Sequence, residues 1–202
     1  MGCDITMYVE RKGHDGKWHN CDYFVQSISS PGKYNRIPLF DDRSYALFAT
    51  LADVRNYGNT DYICKPKGFP DDASEYVRAE YEDYGIYDHS HSYLTLQELI
   101  DFQNEKHPLK RRGMLDPEAL KQFDEHGILP DTYCQDTNCP GYEFREWEED
   151  IDILAPIVDE LKKRADELDI IWKFAWDAKN EDMRQNAYDA AADVRTVFWF
   201  DN

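Results

Sequence analysis

Both ends of the chain carry β-strand patterns, and this feature constrains the fold more than any other. Residues 3–11 alternate apolar and polar side chains, a period of two that is typical of a strand with one buried face. The Asp15-Gly16 pair predicts a hairpin turn, after which residues 17–25 return as a second strand. Residues 194–200 are β-branched and aromatic, as in a buried strand. We therefore expect this last strand to pair with the N-terminal hairpin.

Helical patterns fill the region between these strands, and several of them carry recognisable end signals. Thr95 and Glu98 have the spacing of a capping box, which predicts a helix start. The predicted helices are 42–58, 71–84, 95–107, 116–127, 144–168 and 181–191. We expect an α+β fold, a small antiparallel sheet covered by several helices. Residues 1–202 are expected to form a single domain, with a helical, acidic, insertion-like region at about 70–192.

Charge limits the classes of partner. The chain has 41 Asp and Glu against 23 Lys and Arg, a formal net charge of −18. Such a surface repels nucleic acid and anionic membranes, so we expect neither as a direct partner. No apolar run approaches the ~18 residues that span a bilayer, and no signal-peptide core follows Met1. With an odd count of five scattered cysteines, these features predict a cytoplasmic protein.

The acidic charge is unevenly distributed along the chain. Residues 1–67 contain eight acidic and nine basic residues, and the remaining residues carry almost all of the negative charge. Arg43 and Arg55 bracket the first predicted helix. A cation gains nothing from the dipole at the N-terminal end of a helix, so Arg43 is the better candidate for binding an anion. The alternatives are that Arg43 forms a surface salt bridge and that the first third supplies the central sheet, since sheets carry fewer charges.

The densest candidate site is the segment Asp88-His89-Ser90-His91-Ser92. In an extended segment, His89 and His91 point to the same face, where they can hold one phosphate or one metal ion. The alternative is that the two histidines brace a loop. A complete zinc site needs three or four ligands, and we expect no metal and no other cofactor.

Two further groups of residues are weaker candidates. Asp4 lies on the polar face of the first strand together with Thr6, Tyr8 and Glu10. This face either lines a pocket or is exposed to solvent. Cys134 and Cys139 are spaced C-x₄-C in a polar loop, but no second pair lies nearby to complete a zinc site.

Short motifs open the chain at Met1-Gly2-Cys3-Asp4-Ile5, recur at Asp88-His89-Ser90-His91-Ser92 and close it at Phe198-Trp199-Phe200-Asp201-Asn202. Through these motifs the chain resembles a family of uncharacterised phage and bacterial proteins. Its members open with Met-Gly-Cys-Asp-Ile-His, carry an Asp-His-Ser-His-Ser segment and close with Phe-Trp-Phe-Asp-Asn. The chain differs at Thr6, where the family has histidine. The resemblance implies a phage-type gene rather than a particular chemistry. The matching segments are 1–6, 45–56, 88–96 and 197–202.

Three functional hypotheses follow. The first is a phage-type accessory protein that sequesters or cleaves a small phosphorylated or nucleotide-like ligand, such as a host immune signal. The second is an acidic inhibitor that mimics nucleic acid and binds a host protein. The third is a metal-dependent phosphoesterase using the histidine segment. In the first, the ligand contacts would be Asp4, Arg43, Tyr45, Arg55, Asp88, Ser92 and Tyr93, with His89 and His91 as the catalytic candidates. No oligomeric state follows from the sequence.

Overall fold

The computed structural model describes residues 2–84, 88–136, 138–168 and 178–201, which form an α+β fold. Helices pack on a four-stranded antiparallel sheet, and two separate two-stranded sheets lie outside it. The strands are β1 (Asp4–Lys12), β2 (Trp18–Asn20), β3 (Tyr23–Gln26), β4 (Tyr34–Ile37), β5 (Asp88–Thr95), β6 (Leu109–Leu115), β7 (Glu143–Glu149) and β8 (Val194–Asp201). The helices are α1 (Tyr45–Ala52), α2 (Glu75–Tyr84), α3 (Leu96–Glu105), α4 (Pro117–His126), α5 (Ala155–Leu168) and α6 (Glu181–Ala190).

The main sheet has the strand order β2-β1-β8-β5. β1 pairs with β8 along its length, from Asp4 opposite Asp201 to Arg11 opposite Val194. The predicted sheet of an N-terminal hairpin and a C-terminal strand is therefore confirmed. β8 is the interior strand, because β5 pairs with its other edge.

Short strands account for most differences from the predicted elements. The predicted strand 17–25 divides at Cys21 and Asp22 into β2, in the main sheet, and β3, which pairs with β4. The predicted helix 144–168 begins only at Ala155, because its first part is β7. Region 70–192 therefore contains β5, β6 and β7 as well as helices. β7 is charged on both faces, so its sequence lacks the alternation that identifies a strand.

Helix ends follow the local signals. Thr95 and Glu98 form the predicted capping box at the start of α3. Asp116 accepts hydrogen bonds from the first turn of α4, and Gly127 ends that helix in the left-handed region at φ 65°. These caps satisfy backbone groups that a helix leaves unpaired at its ends.

Both faces of the main sheet are covered. Met7 and Phe198 belong to the larger core, which α1, α3 and α5 complete. On the other face, Tyr8 and Trp199 stack with ring centroids 5.1 Å apart and pack against Val77 of α2. The expectation of a solvated polar face on β1 is therefore wrong at Tyr8 and Glu10, both of which are buried. An aromatic and a paired carboxylate can occupy a covered face that sequence alternation marks as polar.

Buried ion pairs accompany these cores. Arg195 of β8 donates to Glu10 of β1 at 2.7 Å, and both side chains are almost fully buried. Arg195 also donates to Asp72 at 2.8 Å. Arg164 of α5 donates to buried Asp22 at 3.1 Å. Buried charges need such partners because an isolated one is costly to desolvate.

Candidate functional site

A cleft of about 630 Å³ lies between α1 and the start of β6. Residues at both ends of α1 line one side, and the loop before β7 forms an edge. The described residues that line the cleft include five basic residues and three tyrosines, and no Asp or Glu. This composition contrasts with the net charge of −18 of the whole chain. The cations are Arg43, Arg55, Lys110, Arg111 and Arg112, and the tyrosines are Tyr45, Tyr57 and Tyr133.

The entry to α1 provides the first wall. Ser44 caps the helix by accepting the Leu47 N–H, which fixes Arg43 and Tyr45 on either side of the cap. Arg43 forms a bidentate ion pair with Asp4, at 2.7 Å from Nε and 2.6 Å from Nη2. This pair lowers the pKa of Asp4 below its ordinary value. The structure thus brings together Asp4, Arg43 and Tyr45, three of the residues nominated from the sequence.

A braced turn after α1 presents the next cation. Asn56 holds the turn through its side chain, which donates to Asp53 at 2.8 Å and exchanges hydrogen bonds with the Thr60 backbone. Within this turn Arg55 adopts a left-handed backbone at φ 53°. Strained backbone of this kind persists where surrounding contacts enforce it, and it is concentrated at functional sites. The Arg55 guanidinium donates to the Tyr57 hydroxyl at 3.2 Å.

β6 forms the opposite wall with three consecutive basic residues. Lys110 Nζ lies 3.0 Å from Asp61, and Arg111 Nε lies 3.2 Å from Glu149. Arg111 also donates to the Tyr133 hydroxyl at 3.4 Å. Arg112 is exposed and forms no ion pair with the described residues. The carboxylates that pair with Lys110 and Arg111 stand outside the cleft lining.

The two histidines do not share a face, so that expectation is wrong. The register of β5 against β8 shifts between His89 and Ser92, and Ser90 adopts a left-handed backbone at φ 55°. This β-bulge turns the following side chain over. His89 stacks on Phe200 of the larger core at 6.0 Å, whereas His91 contacts Tyr81 edge-on at 5.0 Å on the other face of the sheet.

Among the described residues, Cys3 connects His89 to the wall of the cleft. The Nε2 atom of His89 lies 3.9 Å from the Cys3 sulfur, and the Arg55 guanidinium hydrogen bonds to the same thiol. Cys3 is fully buried, and this burial raises the pKa of its thiol. His89 therefore lies behind the wall that carries Arg55 rather than in the cleft.

The remaining nominated residues also lie outside the cleft. Ser92 is buried, and its hydroxyl accepts the Lys67 N–H at 3.2 Å. Tyr93 lies under the Lys67 ammonium, 5.0 Å from the ring centroid. Asp88 is opposite Asp201 in the sheet, and its pKa is raised first by burial and then by the neighbouring carboxylate. The segment thus spans both faces of an edge strand.

No group of three or more His, Cys, Asp or Glu side chains in the described part of the chain is arranged to hold a metal ion. The bulge at Ser90 explains why the histidine segment provides no such group. Cys134 and Cys139 are close to each other, but no third ligand joins them among these residues.

Sequence reasoning missed half of the cleft. Tyr57, Tyr133 and the basic run Lys110–Arg112 were not nominated, although they line it with Arg43 and Arg55. The run is the one signal that was available, because three consecutive bases are unusual in the acidic part of this chain. Its position opposite α1 depends on the β6–β7 pairing, which the sequence does not specify.

Among the helices that the structure describes, none is both long and apolar enough to cross a lipid bilayer. Comparison with known proteins gives no match to this chain, neither a family model nor a curated protein nor a solved structure.

Proposed function

We propose that the protein binds a small phosphorylated, nucleotide-like ligand in the cleft between α1 and β6. One observation carries this proposal: five cations and three tyrosines line one cleft of about 630 Å³ in a chain with a net charge of −18. Spread over the surface, these cations would be neutralised by the excess of carboxylates. Gathered in a cleft, they form a local site for an anion, because salt screens the carboxylates beyond about 8–10 Å. An anion there competes directly with the carboxylates that pair with Arg43, Lys110 and Arg111.

Arginine is suited to hold the phosphate. Its guanidinium binds phosphate oxygens in a bidentate manner, with hydrogen bonds stronger than those between neutral groups. Arg112 has no competing ion pair among the described residues, and Arg55 lies on the opposite wall. A phosphate between them would contact both walls. Arg43 would join if the ligand displaced Asp4, the exposed carboxylate that now holds it.

The tyrosines are suited to hold a ring. Tyr57 is 43% exposed at the cleft and meets Tyr45 edge-on at 6.2 Å. Tyr133 is fixed on the other wall by an edge-on contact with Trp147 at 5.0 Å. Stacking of a base on an aromatic side chain contributes about 1–3 kcal/mol and tolerates different bases. A ligand with a phosphate and an aromatic ring matches both classes of lining residue.

The lining favours binding over cleavage. Guanidinium groups, phenol rings and the amides of Asn56 and Gln135 orient a ligand, whereas hydrolysis of a phosphate ester usually also needs a general base or a metal ion. The two histidines nominated for that role lie away from the cleft. We therefore propose sequestration. The resemblance to phage proteins motivates the further proposal that the ligand is a host signalling nucleotide.

Calorimetric titration with adenosine, pyrophosphate and ADP tests this proposal. ADP should bind at least about tenfold more tightly than either part alone, because it engages the cations and the rings together. Arg55→Gln and Arg112→Gln should each weaken ADP binding about tenfold or more, since each removes a charge-assisted hydrogen bond. A cyclic dinucleotide, titrated in parallel, tests for a larger ligand of the same class.

Arg145→Gln is the matched control. Arg145 makes a bidentate pair with Asp124 of the same form as the pair of Arg43 with Asp4, but it lies outside the cleft. Its replacement should leave ADP binding unchanged. Equal losses in the Arg145 and Arg55 variants would mean that binding reflects overall charge, and the cleft assignment would then be wrong.

A second candidate function rests on the exposed carboxylates of β7. Glu146 and Glu148 project from this strand, are exposed, and form no ion pair with the described residues. Such a surface suits a basic host protein, as expected for a mimic of nucleic acid. Glu146→Gln/Glu148→Gln should then weaken capture of that protein at low salt. A complex that forms equally well with this variant would contradict the idea.

A further inference from the structure

Two cysteines lie in the loop that forms one edge of the cleft. Cys139 donates a thiol hydrogen bond to Cys134, with the two sulfur atoms 2.9 Å apart. Both side chains are partly exposed, so dissolved reagents can reach them. A disulfide needs a sulfur separation of about 2.05 Å, which is less than 1 Å from the observed spacing. The pair is therefore placed for oxidation without a large rearrangement.

The two thiols have different surroundings. Cys134 is fixed on β6 by two backbone hydrogen bonds with Met114, at 3.0 and 2.8 Å. Its sulfur accepts hydrogen bonds from Cys139 and from the Asp136 N–H. The hydrogen bond that Cys139 donates raises the pKa of its thiol to about 11. Cys134 is therefore the anchored sulfur, and Cys139 is the hydrogen-bond donor of the pair.

We propose that Cys134 and Cys139 are a reversible redox pair that a small-molecule disulfide, such as oxidised glutathione, closes into an intramolecular disulfide. Cys134, on losing its proton to solvent, attacks one sulfur of the oxidant, whose sulfur–sulfur bond breaks and releases one glutathione thiolate that takes up a proton. The Cys139 thiol, on losing its proton to solvent, then attacks Cys134 in the mixed disulfide and releases the second glutathione. Two cysteine thiols are oxidised, and one disulfide is reduced to two thiols.

The neighbours of this pair couple it to the cleft. Tyr133 and Gln135 flank Cys134, and both line the cleft. Tyr133 accepts a hydrogen bond from Arg111, and Gln135 donates to the Arg112 backbone oxygen at 3.4 Å. Closing the disulfide ties Cys139 to Cys134, which β6 anchors, and so restricts the side chains of Tyr133 and Gln135 on either side of Cys134. This part of the inference rests on the proposed function, and it predicts about two- to tenfold tighter ADP binding by the oxidised form.

Intact-mass measurement tests disulfide formation independently of any ligand. The full-length protein, treated with oxidised glutathione, should lose two hydrogens and protect two thiols from N-ethylmaleimide, both within the peptide that spans 134–139. Cys134→Ser and Cys139→Ser should each stop at a glutathione adduct on the remaining thiol, without the loss of two hydrogens that marks the intramolecular disulfide. Cys64→Ser is the control, because Cys64 is also partly exposed and its removal should change nothing. If the wild-type protein keeps both thiols open to N-ethylmaleimide, the redox pair is refuted.

ADP titration of the reduced and oxidised proteins tests the coupling. Tighter binding by the oxidised protein, reversed by dithiothreitol, supports it. A disulfide that forms without changing ADP affinity refutes the coupling while leaving the redox pair intact. If neither form binds ADP, pyrophosphate or a cyclic dinucleotide, the proposed function and the coupling both fail, and the mass measurement alone decides the disulfide.

Discussion

The buried pair of Arg195 and Glu10 allows a quantitative prediction about stability. Arg195 is 3% exposed and Glu10 is fully buried, so neither charge is compensated by water. Besides the Arg195 guanidinium at 2.7 Å, the Glu10 carboxylate accepts the Ser74 N–H at 2.7 Å. Arg195→Met keeps an apolar stem against Trp18, whose ring the guanidinium covers at 3.9 Å. It leaves the Ser74 N–H as the remaining hydrogen-bond donor to Glu10 in the part of the chain that the structure describes.

The expected cost of Arg195→Met is about 3–5 kcal/mol of unfolding free energy, because removal of one partner leaves a buried carboxylate uncompensated. For a chain of this size, each kcal/mol shifts the thermal midpoint by about 2–4 °C, so the midpoint should fall by about 6–20 °C. Urea denaturation followed by circular dichroism measures the free energy, and calorimetry measures the midpoint.

A second substitution separates the charge from the packing. Glu10→Gln in the Arg195→Met background removes the uncompensated charge, so the double variant should be more stable than Arg195→Met alone. Arg145→Met, which breaks an exposed pair, should leave the midpoint nearly unchanged. If Arg195→Met costs less than about 1 kcal/mol, the argument that the pair is shielded from water is refuted.

Three further predictions concern pH, charge and close packing. Burial raises the pKa of Asp22 to about 6 in the folded protein, above its pKa of about 4 in the unfolded chain. The stability that protonated Asp22 contributes is therefore fully present below about pH 4 and is lost as the pH rises to about 6. Asp22→Asn should remove this dependence in urea titrations, and an unchanged pH profile would contradict it. Asp4→Asn releases Arg43 from its ion pair and should strengthen pyrophosphate binding severalfold by calorimetry; weaker binding would exclude Arg43 from the site. A Cβ on Gly58 would overlap the Lys110 carbonyl oxygen, so Gly58→Ala should lower both the thermal midpoint and the affinity for ADP. No change in either would mean that the turn after α1 and β6 are not in rigid contact.

Local signals in the sequence predicted the parts of the fold that depend on local contacts. The capping box of Thr95 and Glu98 and the stop at Gly127 involve residues a few positions apart, so the sequence contains the whole interaction. The pairing of β1 with β8 was also predictable, because two strongly patterned strands at the ends of a chain need partners. The positions of Arg43 and Arg55 around α1 followed from the helix between them.

The other wall of the cleft depends on contacts that are distant in the sequence. β6 and β7 are more than twenty residues apart, and pairs such as Arg111 with Glu149 form only when the strands align. The expected shared face of His89 and His91 failed for a related reason. A single residue, Ser90, leaves the extended conformation, and nothing in its side chain requires this. Sequence periodicity assumes a regular backbone, so it cannot detect an isolated bulge.

The interior position of β8 has a consequence for biosynthesis. β8 provides hydrogen-bonding partners to β1 on one edge and β5 on the other, yet it follows both in the sequence and leaves the ribosome after them. Until Val194 and the residues after it emerge, β1 has an unpaired edge and its apolar side chains lack the central layer of their core. The main sheet must therefore form after translation of this segment, through contacts that close nearly the whole length of the chain. Such non-local closure is slow, and the waiting strands are exposed to aggregation or to chaperones throughout synthesis.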